Sequence, residues 1–207
     1  MLMKVALVGA SGNAGSRILA ELLSRGHEVT AIARNVDKIE AKSGVTVVQA
    51  DADDPAALAE AIRGHDVAIS SLKFSASDAG KLIEAARTSG VGRYIVVGGA
   101  ASLKAPGSDQ RIIDSGQIPE AFMPEIRAGA NFLERLKQEP EGLDWTFMSP
   151  SMFFGPGERT GKFRLGTEEL LVAEDGKSSI SYEDFAVALV DEIEAPKHVR
   201  ARFTVGY

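Results

Sequence analysis

The tightest constraint on this chain lies in VALVGASGNAG, where Gly9, Gly12 and Gly15 follow an apolar run directly and lead straight into an amphipathic segment. A turn this tight between strand and helix needs a residue with positive φ, and a side chain at Gly12 obstructs backbone approach to a pyrophosphate. Gly15 lets the helix pack close to the strand. With Ser11 in the turn and the N–H groups of Asn13 and Ala14 opening the helix, the segment reads as an anion cradle, aided by the helix dipole. A glycine turn without a ligand is the competing reading. Strand, turn, helix and second strand follow one another at βαβ length, which favours a dinucleotide site.

The same alternation continues beyond the turn. Strands are predicted at Met3 to Val8, Glu28 to Ala33, Val45 to Ala50, Asp66 to Ser71, Arg93 to Val97 and Asp144 to Met148. Helices are predicted at Asn13 to Arg25, Pro55 to Arg63, Ser77 to Ser89 and Pro119 to Gln138, with a short one near Asp37. The strands are nearly continuous apolar runs, as parallel strands buried on both faces should be. The expected fold is α/β, a doubly wound parallel sheet with helices on both sides. Pro150 to Ser181 reads as irregular structure with small strands. Ser181-Tyr182-Glu183-Asp184 resembles a capping box that opens a helix to Glu194, and Arg202 to Val205 reads as a closing strand.

A chain of 207 residues suits one domain with a single core. We divide it into a cofactor-binding core, 1–149, and substrate-side segments with the closing helix and strand, 150–207. The absence of cysteine excludes disulfides, thiol nucleophiles and cysteine metal sites, and suits a reducing, cytoplasmic location. His27, His65 and His198 stand far apart without ligand spacing, so no metal is expected. A net charge of −6 without a basic cluster argues against nucleic acid, and the apolar run before the glycines is too short for a membrane span. Composition does not distinguish a monomer from a homodimer.

The second strand ends at Ala33, and Arg34 follows where an acidic residue would accept from the ribose 2′-OH of NAD. A guanidinium there pairs with a 2′-phosphate, which favours NADP(H) over NAD(H); a solvated loop arginine is the alternative. Asp51, Ala52 and Asp53 follow the third strand, and Ser70, Ser71 and Leu72 end the fourth, all at the carboxyl ends where ligands gather in such sheets. Asp53 and Asp54 equally suit capping of a helix at Pro55.

The glycine turn, Arg34, VVGGAASL at Val96 to Leu103, LDWTFMSPSMFFGPGERTGKFRLG, ISYEDFAVALVDEIE and RFTVGY together resemble the NADH-flavin reductase branch of the atypical short-chain dehydrogenases, close to NmrA-like proteins. The resemblance spans the whole chain. It implies a Rossmann domain that binds NAD(P)H and reduces flavins or quinones, with flavin as a substrate rather than a bound cofactor. It also implies roles for Gly98, Gly99 and Ser102 beneath the nicotinamide, although Ala101 stands where the family pattern has glycine.

The usual Tyr-x-x-x-Lys proton-transfer pair is missing: Tyr94 and Tyr182 are followed four residues on by Gly98 and Ala186, and the helix FMPEIRAGANFLERLK has no tyrosine. Ser102 is the best placed hydroxyl for hydrogen bonding near the nicotinamide, but without a base beside it in sequence it does not read as catalytic. Hydride transfer to a planar small-molecule acceptor tolerates this, because solvent can supply the proton. In that scheme Pro150, Ser151 and Met152 hold the nicotinamide, while Phe153, Phe154, Phe122 and Arg159 are candidate acceptor contacts, with core packing the alternative for the aromatics and a surface salt bridge with Glu158 the alternative for Arg159. A non-catalytic, NADP-sensing regulator fits the missing pair as well.

Overall fold

The structure is a computed structural model that describes residues 2–40 and 42–207. Its strands and helices alternate: β1 (Lys4–Val8), α1 (Asn13–Ser24), β2 (Glu28–Ala33), β3 (Val45–Gln49), α2 (Pro55–Ile62), β4 (Val67–Ser70), α3 (Ala79–Ser89), β5 (Arg93–Val97), α4 (Met123–Gln138) and β6 (Asp144–Ser149). Three short strands follow, β7 (Phe153–Gly155), β8 (Arg164–Gly166) and β9 (Ser179–Ser181), then α5 (Tyr182–Glu194) and β10 (Ala201–Gly206). The main sheet runs β3-β2-β1-β4-β5-β6-β10-β8. All its neighbours pair in parallel except β8, which lies antiparallel to β10 at the edge. This is the doubly wound Rossmann arrangement, with the strand order reversing between β1 and β4.

Each central strand buries both faces. Val5 and Leu7 of β1 meet Ile18 and Leu22 of α1 and Phe185 and Leu189 of α5 on one side. Ala6 and Val8 meet Leu58 of α2, Leu82 of α3 and Phe132 of α4 on the other. Period-two alternation within an all-apolar strand therefore divides one sequence run between two helical layers.

Some local expectations need correction. The segment near Asp37 is a turn rather than a helix; the Asn35 side chain accepts from Asp37 N at 2.9 Å and closes it locally. The helix expected from Pro119 starts at Met123, because a separate 3₁₀ turn occupies Glu120–Phe122. The capping box at α5 is half formed. Ser181 Oγ accepts from Asp184 N at 2.9 Å, but the Asp184 carboxylate turns away from Ser181 N, which donates to the Tyr207 hydroxyl instead.

Among the described residues, no helix is long and apolar enough to cross a membrane, and no group of three or more acidic or histidine side chains is arranged to hold a metal ion.

Candidate functional site

At the carboxyl ends of β1 to β4 the chain leaves a groove of about 310 Å³, lined by Val8, Gly9, Ser11, Ala33, Arg34, Asn35, Ala50, Asp51, Ala52, Leu72, Lys73 and Ala76. Its floor is the glycine turn. Gly9 has φ +86°, and a Cβ there would stand 2.3 Å from the Ser71 carbonyl oxygen. A Cβ at Gly15 would stand 2.1 Å from the Gly9 carbonyl oxygen, so α1 can approach the turn this closely only with glycine there. Gly12 is the N-cap of α1 and has no side chain, so none caps the first amides of the helix, which begins just past the groove residue Ser11. A tight glycine turn with uncapped helix amides suits a pyrophosphate. A larger open depression of about 480 Å³ lies at the opposite ends of β1 to β3, around Lys4, Glu28 and His65, and has no comparable cradle.

Of the residues singled out in the sequence, Gly9, Ser11, Arg34, Asp51, Ala52 and Leu72 line this groove together. Arg34 is exposed, and among the described residues no carboxylate pairs with it. Asp54 caps α2, accepting from Ala56 N and Ala57 N at 3.1 and 3.0 Å. Asp53 reaches Lys81 Nζ at 3.3 Å, so neither of these two acids is a groove residue. Ser70 is buried, and Ser71 contributes its carbonyl beside Gly9. Asn35, Lys73 and Ala76 join the lining without any motif that marks them. For Lys73 the one available signal is a cation just past the end of a central strand.

Toward β5 and β6 the roles divide differently from the sequence expectation. Gly98 is required by packing, since a Cβ would lie 2.4 Å from the Phe147 ring. The Ser151 hydroxyl donates to Val205 O at 3.1 Å, which ties that side chain to β10 and leaves only its backbone to face a ligand. Met152 and Phe153 are 50% and 66% exposed, and Phe122 is 61% exposed. Phe154 instead turns inward, its ring centroid 4.6 Å from that of Tyr182 and 4.7 Å from that of Phe185. The aromatic pair is thus one core residue and one surface residue.

Ser102 and Arg159 are both engaged within the fold. Ser102 Oγ accepts from Arg202 Nη1 at 2.9 Å, and the same guanidinium grips Glu168. Arg159 donates from Nε and Nη2 to the two oxygens of Glu21 at 2.7 and 2.8 Å, so it belongs to α1 rather than to an acceptor site. The rest of GPGERTG is pinned alongside it. Gly157 N donates to Glu183, and the Thr160 hydroxyl and Gly161 N donate to the buried Asp184 carboxylate at 2.5 and 2.8 Å. Tyr207 completes this cluster, its hydroxyl 2.9 Å from Asp184 and 2.8 Å from Ser181 Oγ; burial raises its pKa, as it does more strongly for Tyr94. Neither tyrosine is poised to give up a proton at neutral pH.

Sheet order, glycine turn and groove together define a dinucleotide-binding α/β protein. The NAD(P)H-binding family matches residues 9–196, and the chain belongs to that family. It is 37% identical to the uncharacterized protein YwnB of Bacillus subtilis (strain 168), over 98% of each chain. Among solved structures, a Bacteroides thetaiotaomicron protein provisionally assigned as an epimerase superposes with a TM-score of 0.93 at 40% identity, covering 100% of this chain and 98% of that one. SP1627 of Streptococcus pneumoniae TIGR4, provisionally assigned as an NADH-flavin reductase, superposes with a TM-score of 0.86 at 35% identity, over 99% of both chains. The expected resemblance to NADH-flavin reductases is met by SP1627, within the NAD(P)H-binding family.

Proposed function

We propose that the chain is an NADPH-dependent reductase that passes hydride to a planar acceptor of flavin or quinone type. The observation that carries the cofactor choice is the unpaired guanidinium of Arg34 on the wall of the groove, with no acid in the place that would read a ribose 2′-OH. The uncapped amides of α1 hold the pyrophosphate, and Leu72 packs against the adenosine half. When bound, the reduced nicotinamide supplies two electrons and a proton as hydride, and solvent supplies the second proton that the acceptor takes up. Backbone around Pro150 to Met152 orients the ring, and the exposed Met152 and Phe153 offer apolar surface to the acceptor.

The assay follows NADPH absorbance with FMN, riboflavin and menadione in turn, with and without oxygen. Oxidation that depends on the acceptor is expected. Tight NADPH binding without turnover of any acceptor would sink the reductase reading and favour a cofactor-sensing regulator. That second reading rests on one observation: among the described residues the Ser102 hydroxyl hydrogen-bonds only to the Arg202 guanidinium and to no base.

A further inference from the structure

Glu125 lies in the first turn of α4, away from the groove lining, yet its carboxylate collects three donors from the segment after β4. Phe74 N donates to Oε1 at 2.9 Å, and Ser75 N and Ser75 Oγ donate to Oε2 at 2.8 and 2.5 Å. These donors belong to a 3₁₀ turn, Phe74–Ala76, whose flanks Leu72 and Lys73 and last residue Ala76 line the groove. The turn is closed on itself as well, since Lys73 O accepts from Ala76 N at 3.2 Å and from Ser77 Oγ at 2.9 Å.

Phe74 anchors the same turn from below. Its ring meets Phe132 edge-on at 5.6 Å and stacks on Phe147 at 6.1 Å between centroids. Gly129, one helical turn beyond Glu125, leaves the space it fills: a Cβ there would stand 2.8 Å from the Phe74 ring. The groove carries two cations, Arg34 and Lys73, against one carboxylate, Asp51. Among the described residues Lys73, like Arg34, forms no ion pair, so its ammonium is available to an anionic ligand.

We propose that Glu125 is a positioning residue for the cofactor, holding the Leu72–Ala76 turn so that Lys73 presents its ammonium to a cofactor phosphate. The proposal rests on the groove binding NADPH. A glutamate on α4 thereby sets the wall of the groove formed after β4. Three hydrogen bonds to one charged acceptor are stronger than the same number to a neutral one, which is why a carboxylate serves here better than an amide. Gln in its place keeps one oxygen but sets an NH₂ against either Phe74 N or Ser75 N.

The experiment titrates NADPH into the wild type and into Glu125→Gln, Lys73→Met, Ser75→Ala and the Glu125→Gln/Lys73→Met double variant, with the melting temperature of each. Glu125→Gln should weaken NADPH by about tenfold, the weight of one charge-assisted hydrogen bond. Lys73→Met should weaken it to a similar degree without changing the melting temperature. Ser75→Ala, which leaves both amides paired, should cost about two- to threefold and tests the turn if Glu125→Gln folds poorly. The double variant should bind no worse than the weaker single one, because both changes act through one turn; a purely structural Glu125 would give losses that multiply. Wild-type affinity in Glu125→Gln and Ser75→Ala, or multiplying losses, overturns the positioning role alone. A wild type that does not bind NADPH overturns the cofactor reading and this proposal together.

Discussion

Both carboxylate oxygens of Glu21 are held by the guanidinium of Arg159, which lies 138 residues further along the chain. Glu21 also accepts from Arg25 Nε at 2.8 Å, so one buried acid on α1 gathers two arginines. Glu21→Ala leaves both guanidinium groups facing a gap. Breaking a fully buried ion pair costs about 3–5 kcal/mol, but Arg159 is 56% exposed and Arg25 keeps Asp191 and Glu194, so about 1–2 kcal/mol is expected in urea denaturation. Arg159→Ala should leave acceptor kinetics unchanged; a raised KM for an acidic acceptor would return Arg159 to the site.

Acid should loosen the same contact. The hydrogen bonds from Arg159 hold the Glu21 carboxyl below its ordinary value of 4.5, against the opposing effect of burial and with help from Arg25. A folded pKa below the unfolded one adds stability that is complete above the ordinary value and disappears as pH falls through the folded value. The unfolding free energy of the wild type should therefore decline below about pH 4.5, and that of Glu21→Gln should decline less steeply. Parallel curves would show that Glu21 does not contribute to the acid limb.

Arg34→Ala tests cofactor choice. Loss of a guanidinium that pairs with a 2′-phosphate should weaken NADPH by about 10- to 100-fold and NADH by less than about twofold. Equal weakening of both, measured by titration, would mean that Arg34 does not read the phosphate.

Gly15→Ala tests the cradle. The new methyl meets the Gly9 carbonyl oxygen at 2.1 Å and Ala10 Cα at 3.2 Å, and both are backbone that can yield only by moving α1 off the turn. Overpacking of this kind costs about 1–3 kcal/mol. NADPH binding should be lost even where the variant remains folded by circular dichroism, since the helix amides move with the helix.

The two neighbouring phenylalanines should separate cleanly. Phe154→Ala removes a ring packed on Tyr182 and Phe185 and should cost about 2–4 kcal/mol of stability. Phe153→Ala should change stability by less than about 0.5 kcal/mol while raising the KM for a planar acceptor. An unaltered KM would remove Phe153 from the acceptor site.

How far the sequence reveals this molecule depends on the range of each interaction. β2 and β5 fall on the expected residues, Glu28–Ala33 and Arg93–Val97, because burial on both faces writes itself into consecutive apolar side chains. The cradle is equally legible, since backbone geometry forces Gly9 and Gly15 locally. Arg159 is not: GPGERTG gives no sign of Glu21, and a charged residue in a glycine-rich loop reads the same whether it meets substrate or a distant helix. Phe153 and Phe154 share one local pattern, and only the placement of α5 decides which of them turns inward. Glu125 is invisible for a related reason, because its contacts are to a turn after β4 that no spacing rule connects to α4, while Lys73 shows only as a cation just past the end of a strand.

The glycine at position 12 has one further implication. A serine or aspartate there would finish α1 from within, and the free protein would be more stable for it. As built, no side chain caps the helix, so a pyrophosphate bound there would act as the missing first residue of a secondary-structure element. Under that reading cellular cofactor concentration becomes one of the determinants of how rigid this corner of the protein is.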